Sequence, residues 1–84
     1  MLNMFTVLGR VNEIGNDTIS ISVPDAENKT ESHKLFIEIG VNMAKQIKEH
    51  CHIGDLVGVK GKILDNNKLA GEKVTALSSR TNND

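Results

Sequence analysis

The sequence predicts an all-β domain with one short helix: a five-stranded barrel in which the helix separates the third and fourth strands. Three observations predict it. Short stretches of apolar/polar alternation recur along the chain, each bounded by turn residues. One stretch, residues 42–51, breaks that rhythm and repeats its apolar residues at helical spacing. The chain has 84 residues and one cysteine, Cys51, so a single small core forms without an internal disulfide.

The first strand is expected from Met4 to Val11, with Phe5, Val7 and Val11 on one face. Gly9 interrupts it where a barrel strand bends sharply. Thr18 to Val23 is the cleanest alternation, with Ile19, Ile21 and Val23 facing one way and Thr18, Ser20 and Ser22 the other. The run from Pro24 to Glu31 reads as a polar, mobile hairpin loop. A third strand, His33 to Ile39, points Leu35, Ile37 and Ile39 inward and Lys34, Phe36 and Glu38 outward.

The helix is expected from Asn42, acting as N-cap, to Cys51, with Met43, Ala44, Ile47 and Cys51 on its buried side. Gly54 suits a left-handed residue ending it. The fourth strand, Asp55 to Leu64, places Val57, Val59 and Ile63 inward and Lys60 and Lys62 outward. Asp65-Asn66-Asn67-Lys68 forms a tight turn, and a fifth strand spans Glu72 to Leu77. Three strands, a helix and two strands is the OB-fold order, in which the helix plugs the open end of the barrel. Without the helix, an SH3-like barrel would fit equally well. The expected domain is 1–78, followed by a flexible C-terminal tail, 79–84.

Composition narrows the function. The net charge is −1, unlike a strongly basic nucleic-acid binder, but it is unevenly spread. Residues 11–31 carry Glu13, Asp17, Asp25, Glu27 and Glu31 against Lys29 alone, whereas residues 32–73 carry seven lysines against five acids. A local basic face is compatible with this balance, and so is an ordinary mixed surface. The N-terminus lacks a basic start and a long apolar run, and no apolar stretch nears the roughly 20 residues that span a bilayer. A soluble cytoplasmic protein is expected.

Two segments resemble the bacterial single-stranded DNA-binding protein family. Leu2-Asn3-Met4-Phe5-Thr6-Val7-Leu8-Gly9-Arg10-Val11 is similar to its opening strand, with the pattern N-x-x-x-[VL]-x-G-[RN]-[LV]. Glu49 to Ile63, through Gly54-Asp55-Leu56-Val57-Gly58-Val59-Lys60-Gly61-Lys62, is similar to its helix end and fourth strand, K-G-[DS]-x-V-x-V-x-G-[RK]-[LI]. Glu72-Lys73-Val74-Thr75-Ala76 sits where that family places its last strand. The resemblance implies an OB fold, homodimers or homotetramers associating through the first strand, and sequence-tolerant binding of single-stranded DNA. Such binding stacks bases on aromatic rings while lysines and arginines follow the phosphates.

The chain departs from the family pattern in its ligand-binding parts. It has no Trp and no Tyr, and Lys34 and Gly40 fall about where the family carries stacking aromatics. The loop between the fourth and fifth strands is short, and Thr81-Asn82-Asn83-Asp84 does not match the family's acidic Pro-Phe tail. Each stacking platform contributes roughly 1–3 kcal/mol per base, so weaker or specialised binding is expected.

The residues expected to contact DNA are Arg10, Lys34, Phe36, Lys60, Lys62 and Lys68. Phe36 is the stacking candidate, though it could instead pack in a subunit interface or beneath the long loop. The five basic residues are phosphate candidates, and each could equally be a solvated surface charge. Glu38 shares their face and would repel phosphate. His50, Cys51 and His52 are consecutive and point in different directions, whereas zinc needs convergent ligands. No metal, cofactor or catalytic set is expected, and the Gly58–Lys62 stretch lacks the spacing and helix of a P-loop. The competing reading is an OB-fold interaction module for a replication or mobile-element partner with little nucleic-acid affinity. A primosomal-type dimer that binds both partners is compatible with the same residues.

Overall fold

The computed structural model describes residues 3–25, 27, 28 and 30–78. The expected tail, 79–84, lies outside the described residues. Five strands and one helix follow in the order β1 (Met4–Ile14), β2 (Thr18–Pro24), β3 (Ser32–Glu38), α1 (Val41–His50), β4 (Leu56–Ile63) and β5 (Leu69–Ser78). The strands close into a barrel, β1-β2-β3-β5-β4. Among the described residues no helix is long and apolar enough to cross a membrane.

Alternation drives the closure. Ile19, Ile21, Ile37, Val57 and Val59 are fully buried, joined by Val11, Ile39, Ala44, Ile47 and Cys51. Register places apolar residues opposite one another across strand pairs: Val11 opposite Ile21, Ile19 opposite Ile37, and Val7 opposite Val59. Removing this apolar area from water is the main force holding so small a domain. Phe5 is half-buried and packs on that core, in the expected phase. Ile63 keeps the inward phase, opposite Leu69, but at the strand's end it stays 38% exposed.

Long β1 serves two neighbours. Residues Met4 to Arg10 pair with β4, and Arg10 to Ile14 pair with β2, so Gly9 and Arg10 mark the crossing from one partner to the other. The strand thus runs three residues beyond its expected end at Val11, past a register shift between Val11 and Glu13. β5 begins three residues before its expected start, because Leu69 and Ala70 pair with β4 on one side and β3 on the other. The β3–β5 contact is parallel and covers only Ile37–Leu69 and Glu38–Ala70. This two-pair seam completes the barrel.

The helix starts and stops differently from the sequence expectation. Its N-cap is Gly40, at φ 86°, and not Asn42. The amides of Ile39 and Gly40 both donate to the Asp17 carbonyl, at 2.9 and 3.0 Å, and the Gly40 carbonyl accepts from the Ala44 amide. That anchor on the β1–β2 turn reverses the chain two residues before Asn42, and a positive φ there suits glycine. At the other end Cys51 is the extended C-cap. Gly54 does take a positive φ of 95°, but in the following turn, where its amide donates to the Val11 carbonyl at 2.7 Å. It connects the helix to β4 and does not end the helix.

Candidate nucleic-acid interface

Strand alternation sends every second side chain out of the barrel, and the outer rows decide which candidates meet. Arg10, Ser22 and Lys34 form one registered row across β1, β2 and β3. The next row holds Glu13, Ser20 and Phe36. Phe36 is 67% exposed, so its ring stands open to solvent on the outer face of β3. It borders a hollow of about 150 Å³ shared with Glu13, Gly15, Thr18 and Ser20. Ser20, although it faces outward, is buried, and its hydroxyl accepts a 3.0 Å hydrogen bond from the Asn12 side-chain amide.

Lys68 joins this sector from the β4–β5 turn, where its ammonium lies 3.7 Å from the Glu38 carboxylate. The turn itself is tight, with Asn67 at φ 64°, and the Leu64 amide donates to the Lys68 carbonyl at 2.7 Å. Lys60 and Lys62 stand elsewhere, on the outer side of β4 between β1 and β5. The structure therefore divides the six candidates. Arg10, Lys34, Phe36 and Lys68 occupy the β1–β2–β3 sector and its rim; Lys60 and Lys62 occupy the β1–β4–β5 sector.

The charges are not equally available. Lys68 faces Glu38, and Lys62 faces Glu72 at 3.5 Å, both as solvent-exposed pairs that hold little energy. Arg10 donates from Nη1 to the Gly54 carbonyl at 3.3 Å and lines a groove of about 430 Å³ together with Leu8, Ser22, Pro24, Glu31 and Leu56. Among the described residues Lys34 and Lys60 have no carboxylate within ion-pair distance. Lys73, which the sequence did not single out, stands directly opposite Lys60.

The loop between β2 and β3 is acidic at its described positions. Asp25 accepts from the Glu27 amide at 2.9 Å, and this bond, with the His33 ring 3.5 Å away, holds its carboxyl below the usual range. Cys51 is buried at the helix end, where loss of water and then the nearby Asp55 charge push its thiol up, away from the reactive thiolate. His50 and His52 on either side of it are exposed. Among the described residues no three His, Cys, Asp or Glu side chains are placed to hold a metal ion.

No protein-family model matches the chain, and no curated protein matches it in sequence. Solved structures do match in three dimensions. The mitochondrial single-stranded DNA-binding protein of S. cerevisiae, Rim1, superposes with a TM-score of 0.76 at 15% identity, over 94% of this chain and 98% of that one. The SSB domain of a Synechococcus protein gives 0.71 at 14% identity, over 89% and 96%. A small single-stranded DNA-binding protein of Streptomyces coelicolor gives 0.61 at 10%, over 90% and 93%. Coverage near the full length of both partners means that the whole barrel is shared, helix included. The chain thus has the OB fold of single-stranded DNA-binding proteins, with the helix between β3 and β4.

Proposed function

We propose that the protein binds single-stranded DNA without sequence preference, more weakly than a barrel equipped with several stacking rings. One observation carries the reading: Phe36 stands exposed in mid-β3 of an OB barrel, next to Lys34 and near the Lys68 turn. A base stacks on Phe36, while Arg10, Lys34 and Lys68 contact phosphates along the same sector, and Lys60 and Lys62 extend the track onto β4. Stacking tolerates any base because every base has a π-face. Glu13 and Glu38 border Phe36 and oppose the phosphates, which also favours modest affinity.

Fluorescence anisotropy of a labelled oligo-dT strand, titrated at low and moderate salt, tests this. Binding that weakens steeply with salt is expected, since each neutralised phosphate adds about 0.7 to the slope of log K against log salt. Phe36→Ala should reduce affinity by about 1–3 kcal/mol, roughly 5- to 150-fold, with the salt slope unchanged. Equal affinity for the variant would remove Phe36 from the interface. No binding at tens of micromolar protein in low salt would overturn the proposal, and a stoichiometric protein partner would replace it.

The active form is proposed to be a homo-oligomer joined through β1. From Met4 to Gly9 this strand pairs with β4 alone, so its other backbone edge meets no strand among the described residues. Exposed Leu8 and Leu77 meet over Gly58 on the other side of the strand, on the outer face that β1 shares with β4 and β5. An open backbone edge is a template for a second strand, and the apolar pair on the adjoining face adds surface for a second copy to cover. Leu8→Asp should shift the sedimentation mass toward the monomer. A wild-type mass that is monomeric at every concentration would refute the assembly.

A further inference from the structure

The outer face of β4 and β5 holds a pair of like charges that regular strand pairing would have avoided. From Ile63 to Gly61 the β4–β5 register runs smoothly, with Ile63 opposite Leu69, Lys62 opposite Ala70 and Gly61 opposite Gly71. Continued by one step, it would set Lys60 opposite Glu72, a favourable cross-strand pair. A bulge intervenes. Glu72 is the extra residue, and Lys73 takes the place opposite Lys60.

The bulge also disposes of the nearest acid, because the Glu72 carboxylate lies 3.5 Å from Lys62. Lys60 and Lys73 are both exposed, and among the described residues neither has a carboxylate within ion-pair distance. Directly opposed residues place their Cβ atoms about 4.5–5.5 Å apart, so two ammonium groups can reach one tetrahedral anion. The flanking residues of this face are compatible with an anion. Thr6 stands across Lys60 on β1, and Gly58 and Thr75 form the next registered row. Facing the free protein with itself, the pair is mildly unfavourable. Facing a phosphate, it becomes complementary.

We propose that Lys60 and Lys73 together form a phosphate-contact site for the backbone of single-stranded DNA, built by the Glu72 bulge. The site rests on the DNA-binding reading above and enlarges it. Lys73 becomes a binding residue, and DNA engages the β4–β5 face as well as the Phe36 sector. The sequence carries a trace of the bulge. The inward residues of β5 change from odd positions, Leu69 and Gly71, to even ones, Val74 and Ala76, across Glu72-Lys73.

Wild type, Lys73→Gln, Lys73→Arg and, as an exposed control on α1, Lys48→Gln are compared by oligo-dT anisotropy and by thermal melting with and without pyrophosphate. Lys73→Gln should bind oligo-dT about three- to tenfold more weakly, with the salt slope lower by about 0.7. Relief of the like-charge pair should raise its ligand-free Tm by about 1–5 °C. Lys73→Arg should keep wild-type binding and slope, and Lys48→Gln should change neither. Wild-type affinity and slope in Lys73→Gln would overturn the proposal. If wild type fails to bind oligo-dT at all, the DNA-binding reading falls, and pyrophosphate decides the anion site. A Tm increase in wild type that Lys73→Gln loses would keep the site, and equal shifts in both would discard it.

Discussion

Ile37→Ala is expected to cost about 2–5 kcal/mol, the range for removing a buried aliphatic side chain and leaving a cavity. Ile37 is fully buried, with Ile19 opposite it on β2 and Leu69 on β5. It stands at the two-pair parallel seam that closes the barrel, so little else holds β3 to β5 if it is lost. An 84-residue domain has a total stability of roughly 4–13 kcal/mol, and the substitution removes a large share of it. Urea denaturation should show a lower midpoint at constant slope, and thermal melting a fall on the order of 10–30 °C. A loss below about 1 kcal/mol would mean that this seam is not closed as described. The neighbouring residue gives the contrast. Phe36→Ala, proposed above to weaken DNA binding, should leave stability nearly unchanged, since its ring is mostly exposed.

Gly61→Ala is the second large effect. Gly61 is buried on the inner side of β4, opposite Phe5 on β1 and Gly71 on β5. A Cβ there would overlap the Ala70 carbonyl oxygen and lie 2.9 Å from the Gly71 Cα. Backbone cannot turn aside as a side-chain end can, so β4 and β5 must separate next to the Glu72 bulge. Forced overpacking of this kind costs about 1–3 kcal/mol and, against backbone on a closed barrel, should reach the top of that range. Gly58→Ala is the control. Its new Cβ meets only Leu8 Cδ2 at 3.2 Å and Leu77 Cδ1 at 3.7 Å, both of which end movable side chains. Chemical denaturation of the two variants should therefore separate by about 2 kcal/mol, and indistinguishable midpoints would contradict the close approach at Gly61.

How far the candidate binding surface can be read from sequence differs residue by residue. Phe36 and Lys34 were legible as outward because β3 alternates without interruption, and a period of two assigns faces from neighbours alone. Lys60 and Lys62 were legible as outward for the same reason, yet not as standing on another sector than Phe36, since that depends on which strands adjoin β4. Lys68 was legible as a turn residue, while its ion pair with Glu38 follows from the parallel β3–β5 seam. Lys73 was not singled out, since what distinguishes it, its place opposite Lys60, depends on the bulge that shifts the β4–β5 register.

The sequence by itself determined the strands, the helix, their order and the inward set of Ile19, Ile21, Ile37, Val57 and Val59. These follow from hydrophobic periodicity and turn chemistry, which act between residues close in the chain. Only the tertiary structure decided the N-cap at Gly40, the division of β1 between two partners, the β3–β5 seam and the opposition of Lys60 and Lys73. Each of these is a matter of register between distant segments. Gly40 caps the helix because the Asp17 carbonyl, 23 residues earlier, takes its amide hydrogen bond, and Lys73 meets Lys60 because one extra residue enters the ladder. Register is set when the barrel closes and every buried backbone group must find a partner, a condition that no local pattern of residues contains.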